Sequence, residues 1–344
     1  MRIQEYYYLN TVLISTILSA ITAAQVNWSV YTEGGLFNSI NDVSAKSHDL
    51  LFRADGNLDY LYSKKDFSAA FKLKVRPEIY SSETNFKSLK SKVSGNYSQA
   101  GEDISWGINI TGQKNFYQNN ITEFNHSIFS IAFNSDWYEI ENYPITMEIG
   151  YSYQTASENI EQNLDLLFLQ ARILKSLFPG NSSHLGFYIE RFNIDNKYLD
   201  RFTNSASQNK GWRYGPKIGF EYFKHGVVSL DYRFLFHSSQ VTKKPSYEHW
   251  VRFVAGTLFS ESWSLFFLID FYDRKFTLNQ ENLNQEFLVY NFLDVENKIN
   301  IKLAREMSEG FEAYIKTGYF KEGFFNSSFN FEGWVFLMGI EISN

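Results

Sequence analysis

In the segment "FSAAFKLKVRPEI", Phe67, Ala69, Phe71, Leu73, Val75 and Ile79 fall on one parity, and Ser68, Lys72, Lys74, Arg76 and Glu78 fall on the other. A period of two is the period of a β-strand, and a face that is apolar throughout must meet something other than water. A one-residue slip would exchange the two faces, so the pattern also fixes register. The same alternation returns in "ISWGINITG" (104–112), "YGPKIGFEY" (214–222), "VSLDYRFLF" (228–236) and "KINIKLA" (298–304). It therefore constrains the whole chain.

Segments of this kind are expected at 26–33, 50–62, 67–79, 88–99, 104–115, 125–136, 143–155, 163–177, 184–194, 212–223, 227–239, 247–259, 263–275, 295–306, 311–320 and 332–343. Most run to about ten to fourteen residues, longer than the five or six typical of a soluble sheet and long enough, when tilted, to cross the hydrocarbon of a bilayer. The predicted fold is all-β: a transmembrane, antiparallel, up-and-down β-barrel of about sixteen strands, within a range of roughly 14 to 18. Closure follows from the solvent, because every backbone amide in hydrocarbon must pair with a neighbouring strand.

The connections are expected to alternate. Tight ones are "SKKD" (63–66), "AGED" (100–103), the region from Trp137 to Asn142, "FPGNSS" (178–183), "KHG" (224–226), "SES" (260–262) and "MSEG" (307–310). Between them fall the longer 34–49, 80–87, 116–124, 156–162, 195–211, 240–246, 276–294 and 321–331. Short turns on one side and long loops on the other suit a barrel with both termini on the short-turn side, which for an outer-membrane protein is the periplasm. Pro77 and Pro216 sit inside expected strands, where each removes a ladder donor.

Aromatic residues make up 18% of the chain, with 23 Tyr and 33 Phe. Tyr60, Tyr62, Tyr143, Tyr151, Tyr153, Trp263 and Trp334, near strand ends, suit the girdles that mark membrane interfaces. At the N-terminus, "TVLISTILSAIT" (11–22) is followed by Ala23 and Ala24. This apolar stretch is too short to span a bilayer comfortably and ends in small residues, so residues 1–24 are expected to be a secretory signal peptide and 25–344 the barrel. The net charge of -6 gives no reason to expect nucleic acid as a partner, and the lack of cysteine excludes disulfides, thiol catalysis and cysteine-bound metal.

As a pattern over residues 26–344 the chain resembles the bacterial outer-membrane β-barrel class, and in size the sixteen-stranded general porins. The C-terminal "FLMGIEISN", with Gly339 and Ile342, resembles the signal read by the barrel-assembly machinery, although the chain finishes on Asn344 where many such proteins finish on an aromatic residue. The long constricting third loop of general porins is missing, since 116–124 is short. The resemblance implies a location in the outer membrane of a Gram-negative-type bacterium. It also implies lipid and the assembly machinery as partners, and leaves the oligomeric state open.

Barrels of this size enclose a lumen whose inward side chains set selectivity. Parity and topology direct Lys74, Arg76, Lys90, Lys92, Arg213, Lys217, Arg252 and Arg274 inward in the outer half, with Glu78 and Glu190 among them. Glu221, Asp231, Glu312 and Glu341 are expected inward in the inner half. The functional expectation is a passive pore for small hydrophilic solutes with an anion-attracting outer vestibule. The blander expectation is a hydrated wall of paired charges. Inward Tyr188, Phe266 and Leu268 are bulky enough to narrow the path.

Two alternatives belong to other classes. A non-transporting surface barrel for binding, adhesion or scaffolding would use the long loops 195–211 and 276–294. An outer-membrane hydrolase would need a Ser or an acid beside a His. Of the six histidines, His237 precedes Ser238 and Ser239, and His249 follows Glu248, but neither forms a motif. No catalytic residue, metal site or cofactor is therefore expected.

Overall fold

The computed structural model describes residues 24–39, 48–81, 87–118, 125–138, 143–156, 162–196, 208–224, 226–279, 288, 297–323 and 330–344. The apolar N-terminal stretch expected to be a signal peptide lies outside the described residues. Sixteen strands follow in chain order: β1 Ala24–Ser39, β2 His48–Ser63, β3 Phe67–Tyr80, β4 Lys87–Gln99, β5 Ile104–Gln118, β6 His126–Trp137, β7 Ile145–Ala156 and β8 Gln162–Lys175. The second half comprises β9 Asn181–Asn196, β10 Gln208–Phe223, β11 Val227–Ser239, β12 Thr242–Leu258, β13 Trp263–Leu278, β14 Asn297–Ser308, β15 Phe311–Gly323 and β16 Asn330–Ser343. Every strand pairs with its neighbours in sequence, and β1 pairs with β16 in antiparallel register to close the barrel. All sixteen expected segments are strands.

Burial shows which face is which. Leu36 is 53% exposed beside Phe37 at 0%, and Phe52 is 53% exposed beside Leu51 at 1%. Along the wall, large apolar side chains such as Ile110, Ile131, Ile149, Leu169 and Met338 are exposed on the outside, while Glu33, Asp55, Glu190 and Glu248 are buried on the inside. This inversion of a soluble protein is what hydrocarbon outside and polar groups inside demand. Among the described residues no helix is long and apolar enough to cross a membrane.

Pro77 and Pro216 remain inside strands, and the register shows how. The β2–β3 partners skip from Arg53↔Glu78 to Gly56↔Val75, while on the other side Pro77 faces Leu89 of β4. The β10–β11 partners likewise skip from Tyr214↔Phe236 to Lys217↔Arg233, while Pro216 faces Phe187 of β9. Each missing N–H thus falls in a gap in one ladder, and the other ladder is continuous.

Short connections such as 64–66, 100–103 and 309–310 lie at one end, and Gly310 turns with φ 72, a region few residues other than Gly adopt. The other end carries the longer ones, including 197–207 and 279–296. One expectation is corrected: 240–246 is not a long loop, because β12 begins at Thr242. Its polar, Pro-containing start reads like a loop, yet it continues the ladder through a bulge between Lys243 and Tyr247. The described chain begins and ends at the short-turn end, where the Trp28 N–H donates to Asn344 Oδ1 at 2.7 Å and the Asn344 N–H to Trp28 O at 3.3 Å.

Two inward apolar clusters sit at the long-loop end. One comprises Phe37, Leu51, Tyr80, Val335 and Leu337. The other joins Leu164, Leu166, Phe192, Ile194 and Val241 to Leu288 of the β13–β14 connection, and Asn209 Nδ2 donates to the Leu288 carbonyl at 2.8 Å.

Candidate functional site

Between these clusters and the short-turn end, the inward faces of β1–β4 and β9–β15 carry a belt of charge. Alternation places one ionisable side chain on every second residue, and antiparallel register then sets acids beside bases on neighbouring strands. On β1–β4, Arg53 faces Glu33 on one side and Glu78 on the other. Its guanidinium reaches Glu33 at 3.0 Å and Glu78 at 2.6 Å. Lys316 closes on Glu33 at 2.5 Å, and Lys90 lies 3.6 Å from Glu78. Asp55 binds Arg76 and the Tyr31 hydroxyl and lies 3.4 Å from Lys74.

A second group is built on β9–β13. Buried Arg213 donates to Glu190 at 3.0 Å and to both oxygens of Glu248, at 2.8 and 3.1 Å from Nε and 2.5 Å from Nη2. Tyr188 donates to Glu190 at 2.6 Å, Tyr272 to Glu248 at 2.8 Å, and His237 Nδ1 lies 3.1 Å from Glu248. Such a network is favourable only because nearly every lone pair is used; a carboxylate left there alone would be costly. Arg274 faces Glu248 in register and stacks on Phe276 at 5.4 Å.

The third group faces open space. Lys217 and Asp231 are 3.2 Å apart, with His184 3.8 Å from the same carboxylate. Arg252, whose side chain is 56% exposed, holds Asp270 at 2.9 Å, and Trp250 Nε1 donates to that carboxylate at 2.8 Å. Arg233 lies 4.3 Å from the Tyr188 ring and 5.1 Å from the Trp250 ring. Nearer the short turns, Lys302 bridges Glu312 at 2.6 Å and Glu341 at 3.3 Å.

The residues expected to line the lumen are spread over β3, β4, β9–β13, β15 and β16. They do not act alike. Lys74, Arg76, Lys90, Lys92 and Arg252, with Asp270 and Lys298, line a single cavity of about 280 Å³. That cavity touches β3–β5 and β12–β14 at once, so opposite walls meet across it. Lys217, Glu221, Asp231 and Arg252 line a neighbouring cavity of about 290 Å³. Arg213 and Glu190 are instead enclosed in the wall, and Glu78 is tied to Arg53 and Ser88. A clean division into basic outer and acidic inner halves does not hold, because Asp231 and Arg252 are direct cross-strand partners.

Glu33, Arg53, Asp55, Arg233, Asp270 and Lys298 also belong to the belt and are not among the residues expected there from sequence. Parity on β2 held a signal, since Arg53, Asp55, Asn57 and Asp59 share a face, but Ala54 and Gly56 weaken the apolar side opposite. His237 and Ser238 point to opposite faces of β11, and His249 faces outward against Tyr232, its Nδ1 2.9 Å from the hydroxyl. Among the described residues no group of three or more His, Cys, Asp or Glu is placed to hold a metal.

No family model matches the chain, and no curated protein matches it. Solved structures similar to it include OprB of Pseudomonas putida, at 10% identity and TM-score 0.46, covering 96% of each chain. OpdQ of Pseudomonas aeruginosa is similar at 7% identity and TM-score 0.42, covering 94% of this chain and 98% of that one. A bacterial polysaccharide outer membrane secretin is similar at 8% identity and TM-score 0.42, covering 92% and 97%. At these identities the chemistry of the lumen has to come from this chain's own residues.

Proposed function

We propose that this chain is an outer-membrane pore: a passive path for small hydrophilic solutes, with a basic belt that favours anions. One observation carries this reading. The cavity bounded by both walls presents Lys74, Arg76, Lys90, Lys92, Arg252 and Lys298 against Asp270, and basic side chains on facing low-dielectric walls raise the local concentration of anions. Residues 1–24 would direct export, both termini would lie in the periplasm, and lipid and the barrel-assembly machinery would be the partners of insertion. No chemistry on the solute is required.

A second reading, a non-transporting surface barrel, draws on the long-loop end. There Phe37, Leu51, Phe192, Ile194 and Leu337 face inward and are buried, and Leu288 packs against the inner wall. Purified protein in a planar bilayer separates the two. Stable conductance steps support the pore, and an electrically silent, fully folded barrel removes it. In a salt gradient, changing Lys74, Arg76, Lys90 and Lys92 together to Gln is expected to move the reversal potential toward cation preference. An unchanged potential sinks the anion-favouring belt.

A further inference from the structure

The two lumen cavities share one residue and differ in chemistry. Arg252 lines both. The first is lined by six basic side chains and one carboxylate, Asp270. The second is mixed: Lys217, Arg233 and Arg252 donate, Glu221 and Asp231 accept, and the Ser229 hydroxyl can do either.

These chemistries suit different parts of one molecule. An inorganic anion gains from the first cavity but has no hydroxyls to give to Glu221 and Asp231 in the second. A neutral polyol finds donors and acceptors in the second, since each hydroxyl both gives and takes a hydrogen bond, but carries no charge to set against the first's basic lining. A molecule with an anionic group beside several hydroxyls uses both. Arg252 suits the junction because Asp270 holds one side of its guanidinium while the side chain remains 56% exposed. Its neighbour Arg233 is held between Tyr188 and Trp250. The second cavity's donors are thus fixed before a solute arrives, which lowers the cost of binding.

We propose that the two cavities form one saturable site for a hydroxylated organic anion, a sugar acid or a sugar phosphate by its chemistry, with Arg252 the contact common to its charged group and its hydroxyls. This rests on the reading of the lumen as a hydrated path, and deepens it by giving the path a preferred solute.

Isothermal titration of the full barrel in a neutral detergent tests the site without needing a current. The probes are gluconate and glucose 6-phosphate, with acetate, inorganic phosphate and glucose as their parts, all at one ionic strength. Gluconate is expected to bind at least ~tenfold tighter than acetate, or glucose 6-phosphate at least ~tenfold tighter than phosphate, which is ~1.4 kcal/mol per tenfold. Whichever pair shows the preference identifies the anionic group. Arg252→Gln should remove at least ~tenfold of that affinity, and Asp231→Asn should abolish the advantage over the simple anion without weakening the simple anion itself. Arg252→Lys serves in its place if Arg252→Gln fails to fold, and should retain binding of the simple anion while losing part of the preference. Hydroxylated anions that bind no tighter than their parts overturn the proposal, as does an Arg252 variant that folds and binds as the native chain does. A silent bilayer with selective binding would remove the pore and keep the site. A conducting barrel without selective binding would do the reverse.

Discussion

The wall formed by β5–β7 and the wall formed by β9–β13 share one backbone pattern and one lipid-facing chemistry, yet their inner faces have little in common. On β5 the inward residues run Ser105, Gly107, Asn109, Thr111, Gln113, Asn115 and Tyr117, with no charge among them. Asn109 accepts from Asn96 and donates to Asn134 at 3.5 Å, a ladder of amides across three strands. On β9–β13 the inward face carries Glu190, Arg213, Lys217, Asp231, Arg233, Glu248, Arg252 and Asp270. Closure therefore depends on the outward residues and the hydrogen-bonded backbone, and leaves the inward residues available for the solute. The amide wall and the ionic wall are two uses of that freedom.

The largest effect is expected at Arg213. Replacing it with Met leaves Glu190 and Glu248 facing one another without their common cation, and a broken buried pair typically costs about 3–5 kcal/mol. The urea midpoint followed by tryptophan fluorescence should fall sharply. A shift no larger than that of a surface variant would mean that the network is solvated. Next in size is a test of the faces themselves, on β5, whose inward residues carry no charge. Ile110→Lys puts a cation against lipid at a cost of about 2–4 kcal/mol, whereas Thr111→Lys, one residue along, enters the lumen and should cost under about 0.5 kcal/mol. Equal losses would refute the assigned parity. The smallest effect is expected from Asn109→Ala, which removes neutral hydrogen bonds worth about 0.5–1.5 kcal/mol each in a wall that water can reach. Its stability should change slightly and its ion selectivity not at all.

The fold was legible because the bilayer imposes one rule on every strand. Phe71 and Lys72, or Ile110 and Thr111, announce their faces without reference to any other segment. The rule failed where another signal imitated a turn. Glu33, Gly34 and Gly35 read as the end of a strand, yet β1 runs to Ser39; Lys243, Lys244 and Pro245 read as loop, yet they belong to β12. The candidate site was half legible for a related reason. Parity says that Lys74 and Arg252 point inward, but not that they share a cavity, because that depends on the curvature of the whole barrel. Pairing is equally remote from local pattern: Glu33 and Lys316 meet across 283 positions of sequence, through the closure of β1 on β16.

The Arg213 network has a consequence for how such a chain can change over generations. Asn109 or Thr111 can be exchanged singly for other small polar residues with little penalty, so the amide wall is free to drift. Glu190, Arg213 and Glu248 satisfy one another three ways, with Tyr188, Tyr272 and His237 completing the set. Any one-step loss passes through a poorly folded ancestor, so these positions should be inherited as a block, substituted together or not at all.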